Sequence, residues 1–364
     1  SKSDDIAKND VLSVSRIVVA GLADGDLNGL PRTFILPSGA ALTVSPDGTY
    51  TYDPTTGGFQ NLPEGGVGAD AFVVEISDGQ GGAVDVATAI AIDGVNDDPT
   101  IDPITADALE DDTVAGDILA EGAADDVDDG DVVRVITAEG ASVGTSGVTV
   151  NGDNGGQLFV LDTGGYTFFP SADFQFLAVG EVASTTFSIV VGDNFGGAAP
   201  TTITFDVEGA NDGPTVDAQT DLATDEDTPL TGDILIESNA ADIDLSDTLS
   251  VVSLTQAGQF FGEPIGPSTV LTLASGAILS ISSDGGFTYD PRGSFDNLPE
   301  GGAGLEVFSL NITDGNGGFI STNVEIDIAG LNDRPTVQAI TVNAFENTQS
   351  FGDILTESLA DDLD

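Results

Sequence analysis

The sequence predicts an all-β chain made of tandem antiparallel β-sandwich domains. Three observations carry this: a long internal repeat, apolar/polar alternation at the same place in every copy, and glycine-rich turn signals about every 8–12 residues with no amphipathic helix.

The repeat is visible in its linker. Gly94-Val95-Asn96-Asp97-Asp98-Pro99-Thr100 returns as Gly209 to Thr215 and again as Gly330 to Thr336, roughly 115–121 residues apart. A second marker, Gly116-Asp117-Ile118-Leu119, recurs at Gly232 to Leu235 and Gly352 to Leu355, each time after an acidic start at Glu110, Glu226 or Glu346. A third, Tyr50-Thr51-Tyr52-Asp53-Pro54, is matched by Tyr166 to Pro170 and Phe287 to Pro291. A period of this length is a whole domain, not a solenoid unit. The expected domains are residues 1–98, a repeat lacking its first strand; 99–213; 214–334; and 335–364, the opening strands of a fourth repeat. The sequence thus reads as a window on a longer polypeptide.

Each copy contains the same strand. Phe72 to Asp78, Phe187 to Asp193 and Phe308 to Asp314 place Phe72/Val74/Ile76, Phe187/Ile189/Val191 and Phe308/Leu310/Ile312 on one face. The turns that follow, Asp78 to Gly82, Asp193 to Gly197 and Asp314 to Gly318, read as hairpin chemistry, with glycines accepting positive φ. In the third marker, alternation is expected to put one of Tyr50/Tyr52 and one of Phe287/Tyr289 in the core.

Composition narrows the chemistry. The 364 residues carry 62 Asp and Glu against 7 Lys and Arg, a net charge of −55, while 40% hydrophobic residues and 19 Phe can fill several small cores. Nucleic acid needs a basic surface, so it is excluded as a partner, and no apolar run is long enough for membrane insertion. With no His or Cys, the chain has no Ser-His-Asp or Cys-His nucleophile system and no zinc, haem or iron–sulfur site built on those residues. Paired carboxylates remain, but they recur in every unit, which reads as architecture and not as an enzyme. The partners left are hard cations, because carboxylate oxygen is the dominant ligand type.

The candidate ligands follow from recurrence. Clustered carboxylates in irregular loops suit calcium (Ca2+), which takes six to eight oxygens. The Asp-x-Asp pairs are Asp126 and Asp128, Asp242 and Asp244, and Asp362 and Asp364. The linker pairs are Asn96 and Asp97, Asn211 and Asp212, and Asn332 and Asp333. The acidic starts Glu110, Glu226 and Glu346 complete the set. Any one Asp alone is better read as a turn-former. Which clusters share an ion is left open.

Taken in order, these motifs closely resemble the cadherin-like repeats of large bacterial surface proteins, the VCBS-type repeats that also form extender regions of RTX adhesins. Residues 214–334 match almost every motif of that pattern: Glu226-Asp227-Thr228, Ala241 to Asp244, Gly286 to Pro291, Phe308 to Gly315 and Gly330 to Pro335. The middle copy departs at Phe169 and Asn194. The resemblance implies immunoglobulin/cadherin-like sandwiches, calcium binding, an extracellular, cell-surface or secreted location, and a role as a structural extender that spaces or displays other domains. The alternative is a glycan- or protein-binding module acting through sandwich-end loops. Expected partners are neighbouring repeats of the same polypeptide, and other copies through lateral or strand-donating contacts. Residues 335–364 are the candidate donor, with simple truncation the preferred reading.

Overall fold

In a computed structural model of the chain, residues 11–22, 25–257, 259–261 and 264–362 are described. Asp364, one of the candidate ligands, lies outside them. The chain divides into two compact units: residues 1–108, 112–169 and 184–206, and residues 109–111, 170–183 and 207–364.

In the first unit, the long hairpin Val67–Ser77/Ala83–Asp93 pairs residue for residue across its full length, from Val67 against Asp93 to Ser77 against Ala83. Its sheet runs in the order Gly25–Asp26, Ser13–Val18, Val67–Ser77, Ala83–Asp93. Facing residues come from a three-stranded sheet of Arg32–Ile35, Ala41–Val44 and Tyr50–Asp53. Val14, Ile17, Val19, Leu27, Phe34, Leu42 and Phe72 are buried together between the two. This is the layered arrangement that period-two alternation requires, with one face of each strand inward.

The next repeat has a five-stranded sheet in the order Ala141–Ser142, Arg134–Ala138, Val182–Gly192, Ala198–Glu208, Ile104–Leu109. A second sheet runs Val148–Asn151, Gln157–Val160, Gly165–Phe169, Val114–Asp117. Its core is aromatic. Phe168 stacks on Phe205 with ring centroids 4.0 Å apart and planes 5° apart, and Phe187 meets both rings edge-on.

The second unit contains the third repeat, with a sheet Gln219–Asp225, Phe319–Ala329, Ala303–Thr313, Ser250–Gln256, Gln259–Phe261 and a sheet Leu230–Asp233, Gly286–Asp290, Ile278–Ile281, Thr269–Thr272. The fold is therefore nearly all-β, a tandem arrangement of antiparallel β-sandwiches. Not every pairing is antiparallel: Gln219–Asp225 runs parallel to Phe319–Ala329, because the chain crosses between the sheets before returning alongside its closing strand. Phe287 and Tyr289 are both buried, at 8% and 0% exposure, whereas Tyr50 is 62% exposed. The expected split fails for Phe287/Tyr289, because residues two apart on a strand share a face, whereas in the first repeat Tyr52 packs against the core and Tyr50 does not.

The Gly-Asp-Ile-Leu motif is a strand end running into one helical turn. Asp117 caps the helix Ile118–Glu121 by accepting from the N–H groups of Leu119 and Ala120, and Glu121 reaches back to the N–H of Asp117 at 3.1 Å. A Cβ on Gly116 would collide with that Glu121 carboxylate and with the Tyr166 hydroxyl, so any larger residue would have to displace them. Ile118 and Ile234 then plug their cores at 0% and 2% exposure. Residues 335–362, expected to carry opening strands, form the bridge Thr336↔Asp361 and the helix Ile354–Glu357 and no strand. A strand needs a neighbour to receive its N–H and C=O groups.

Candidate metal centre

At the join of the second and third repeats, in the second unit, the linker Asn211–Asp212 meets the Asp-x-Asp loop. The amide of Asp212 donates to Oδ2 of Asp244 at 3.0 Å, and the amide of Asp244 donates to Oδ1 of Asp242 at 3.1 Å. Glu110 arrives at the end of its strand and accepts from the amide of Ala210 at 2.7 Å. One carboxylate oxygen each from Glu110, Asp212 and Asp244 lies within 4.8 Å of the others. A second group, Asp242, Asp247 and Asp314, satisfies the same criterion. Asn211 joins the two groups, donating through Nδ2 to Asp314 at 3.1 Å.

These groups are buried and under-satisfied. Glu110 and Asp244 are 3% and 1% exposed. Glu110 Oε2, Asn211 Oδ1, Asp212 Oδ2, Asp242 Oδ2, Asp244 Oδ1 and Asp247 Oδ2 are all buried with no hydrogen-bond partner. An unsatisfied buried acceptor costs about 1–3 kcal/mol, and more when charged, so a concentration of them calls for a cation. Burial first, and then the neighbouring charges of Asp111, Asp212 and Asp244, push the Glu110 carboxyl above its ordinary value. Asp244 and Asp242 are raised for the same reasons, burial followed by like charge. Every donor is a hard oxygen, carboxylate or amide, which fits a calcium-type ion.

The join of the first and second repeats, within the first unit, repeats this geometry. The amide of Asp97 donates to Oδ2 of Asp128 at 2.8 Å, Asp126 Oδ1 accepts from the amide of Asp128, and Asn96 Nδ2 donates to Asp193 at 3.0 Å. Asp126, Asp131 and Asp193 form the third group of carboxylate oxygens within 4.8 Å. Asn96 Oδ1, Asp126 Oδ2, Asp128 Oδ1 and Asp131 Oδ2 are again buried and unpartnered. Burial and the charges of Asp126, Asp128 and Asp193 raise Asp131. A loop from the preceding repeat adds a main-chain contact at both joins: Asp129 N–H donates to Asn61 O at 3.0 Å, and Leu245 N–H to Phe176 O at 3.2 Å.

At the third linker, Glu226 is 2% exposed and accepts from the amide of Leu331 at 2.6 Å, with Oε2 unpartnered. Burial, followed by the charge of Asp333, raises its carboxyl. Asn332 donates to the Asp333 carbonyl. Glu346 and Asp362 are exposed and belong to no group.

Sequence alone explains two members of these groups, Asp193 and Asp314, as turn chemistry. Asp314 Oδ1 accepts from the amides of Asn316, Gly317 and Gly318, which builds the hairpin turn, while Oδ2 is left for Asn211. Burial pushes Asp193 and Asp314 up, but the Asn96 or Asn211 amide and the turn amides outweigh it, so both lie below the ordinary range. A Cβ on Gly197 or Gly318 would strike that carboxylate. The recurrence of an Asp at the same strand end in all three copies was the available signal.

With the geometry established, residues 211–330 match the family model described as bacterial cadherin-like domain. No curated protein matches the chain in sequence. Among solved structures, the chain is similar to mouse clustered PcdhgC3 EC1-3 (11% identity, TM-score 0.43, covering 88% of this chain and 89% of that one). It is also similar to mouse protocadherin-24 EC1-3 (13%, 0.42, 81% and 88%) and to the protocadherin gammaB7 EC3-6 cis-dimer structure (13%, 0.45, 90% and 70%). Residues 211–330 are thus similar to a bacterial cadherin-like domain, and no described helix is long and apolar enough to cross a membrane.

Proposed function

We propose that this chain is a calcium-binding, extracellular run of cadherin-like repeats of the VCBS type, acting as a structural spacer in adhesion or surface fibres. Its domains are residues 1–98, 99–213, 214–334 and 335–364. Calcium sits where repeats meet. Asn96, Asp97, Asp126, Asp128, Asp131 and Asp193 serve the first join; Glu110, Asn211, Asp212, Asp242, Asp244, Asp247 and Asp314 the second; Glu226, Asn332 and Asp333 begin the third.

One observation carries the reading. Six buried side-chain oxygens around the second join lack hydrogen-bond partners, in a chain of net charge −55. Calcium takes six to eight such oxygens, and its ligation would replace mutual repulsion with shared bonds. Cadherin-like domains are typically extracellular adhesion modules, which supports the location and the spacing role. The function is one of binding and spacing, not catalysis. Thermal melting of the chain with chelator, magnesium and millimolar calcium tests it. Calcium is expected to raise the melting temperature clearly, and magnesium less, because it demands tighter octahedral geometry. Superimposable curves in calcium and chelator would sink the proposal.

A further inference from the structure

The glycine-rich hairpin turns of the second and third repeats share one backbone and differ in a side chain beside the acidic groups. In the second repeat, Asp193 Oδ1 accepts from the amides of Phe195, Gly196 and Gly197 at 2.6, 2.7 and 3.0 Å. In the third, Asp314 Oδ1 accepts from the amides of Asn316, Gly317 and Gly318 at 2.7, 3.0 and 3.0 Å. The other oxygen of each Asp accepts from a linker asparagine, Asn96 or Asn211. The turn therefore closes in the same way whether Phe or Asn stands two residues after the Asp.

The acids beside the two turns are equivalent as well. Asp126, Asp131 and Asp193 form one group, and Asp242, Asp247 and Asp314 the other. The amide of Asp131 donates to the Asp128 carbonyl at 3.3 Å, and that of Asp247 to the Asp244 carbonyl at 3.1 Å. Oδ2 of Asp131 and Oδ2 of Asp247 are both buried without a partner.

The difference lies at the second oxygen. Asn316 Nδ2 donates to Asp247 Oδ1 at 2.7 Å. Phe195 has no side-chain donor, and among the described residues no side chain donates to Asp131, which instead meets the charges of Asp126, Asp128 and Asp193. A carboxylate without such a partner loses rotamer freedom when an ion fixes it, and it must be held against its like-charged neighbours. A donor on the oxygen that faces away from the ion sets the side chain in place before the ion arrives.

We propose that Asn316 is a positioning residue for the acidic group of the third repeat: it holds Asp247 with Oδ2 turned to the ion and so sets the calcium affinity of Asp242, Asp247 and Asp314. The position two residues after the turn Asp carries Gln80, Phe195 and Asn316 in the three copies. It tunes each group from outside the ligand set, because neither the turn amides nor the ligating acids change with it. The proposal rests on the calcium reading above.

Calcium titration of the full chain, followed by nuclear magnetic resonance of the turn amides, tests it. Gly317 and Gly318 report on the group of the third repeat, and Gly196 and Gly197 on that of the second. Asn316→Phe is expected to raise the half-saturating calcium concentration at Gly317 and Gly318 roughly tenfold, the lower end of what loss of a partner behind a metal ligand costs. Its melting temperature in chelator is expected to stay unchanged, since Phe195 occupies the same place in an intact turn. The reciprocal Phe195→Asn is expected to lower the half-saturating concentration at Gly196 and Gly197, a gain that a merely structural role does not produce. Half-saturation points that neither substitution moves overturn the proposal, and so does a loss confined to melting in chelator. Turn amides of the unaltered chain that ignore calcium altogether overturn the calcium reading itself, so the two failures carry different signatures.

Discussion

The amide of Asp212 donates to Oδ2 of Asp244 at 3.0 Å, while Oδ1 of Asp244 remains buried without a partner. One oxygen of this side chain positions the linker, and the other is the one the proposed ion would take. The bond between Asp97 and Asp128 repeats the division at 2.8 Å.

Asp244→Asn is therefore expected to change sign with conditions. In chelator, removing a buried charge that is repelled by Asp247, Asp242 and Asp212 raises the melting temperature. In calcium, the variant loses stabilisation of about 1.4 kcal/mol for each site left empty at ten times its dissociation constant. Differential scanning calorimetry in both buffers checks this. Asp47→Asn, which touches only Thr49 in an exposed turn, serves as the control and leaves the calcium response unchanged.

Asp314 separates turn from ligand. Asp314→Ala strips three amides of their acceptor and is expected to cost about 1–3 kcal/mol even in chelator. Asp314→Asn retains an acceptor oxygen for the turn, so its loss shows mainly in the calcium-dependent part of stability. Urea midpoints with and without calcium distinguish them. Equal losses for both variants in chelator would contradict the division of roles.

The pH response of the ion-free protein follows from the raised carboxyls. Glu110, Asp131, Glu226, Asp242 and Asp244 hold protons in the fold at pH values where the unfolded chain has released them. Their destabilisation is complete above the folded pKa and disappears as pH falls toward the ordinary carboxylate value. Asp193 and Asp314 are depressed, so their contribution is lost only below that ordinary value. In chelator, stability is expected to rise on acidification from neutrality and then fall. In calcium, protons compete with the ion, and acidification from neutrality lowers the melting temperature. A pH series of melting curves in the two buffers reads both signs.

The second repeat depends on its aromatic stack. Phe205 contacts Phe168, Phe187 and Tyr166 at centroid distances of 4.0, 6.1 and 5.7 Å and is fully buried. Phe205→Ala is expected to cost about 3–5 kcal/mol. Near-ultraviolet circular dichroism followed through denaturation would measure it.

Much of the site was legible in single residues. Glu110, Asp128, Asp212 and Asp244 announce themselves because acids recur at the same places in a repeat. Asp193 and Asp314 did not, since an Asp before a glycine-rich turn is explained locally by the amides it accepts. Its second oxygen acquires a use only when Asn96 or Asn211 arrives from a linker distant in sequence. The buried carboxylate Glu306, held by Gln256, Ser275 and Tyr289, was equally invisible, because an acid on a strand normally faces water.

The sequence by itself determined the strand pattern, the repeat and the supply of hard oxygen ligands, because alternation, turn residues and caps act over a few neighbouring residues. Only the tertiary structure decided which acids meet, that Gln219–Asp225 runs parallel to its neighbour, and that Ile118 and Ile234 are buried beside their helical turns. Asp117 and Asp233 cap those turns locally. Burial of the isoleucines instead depends on atoms that approach from far along the chain.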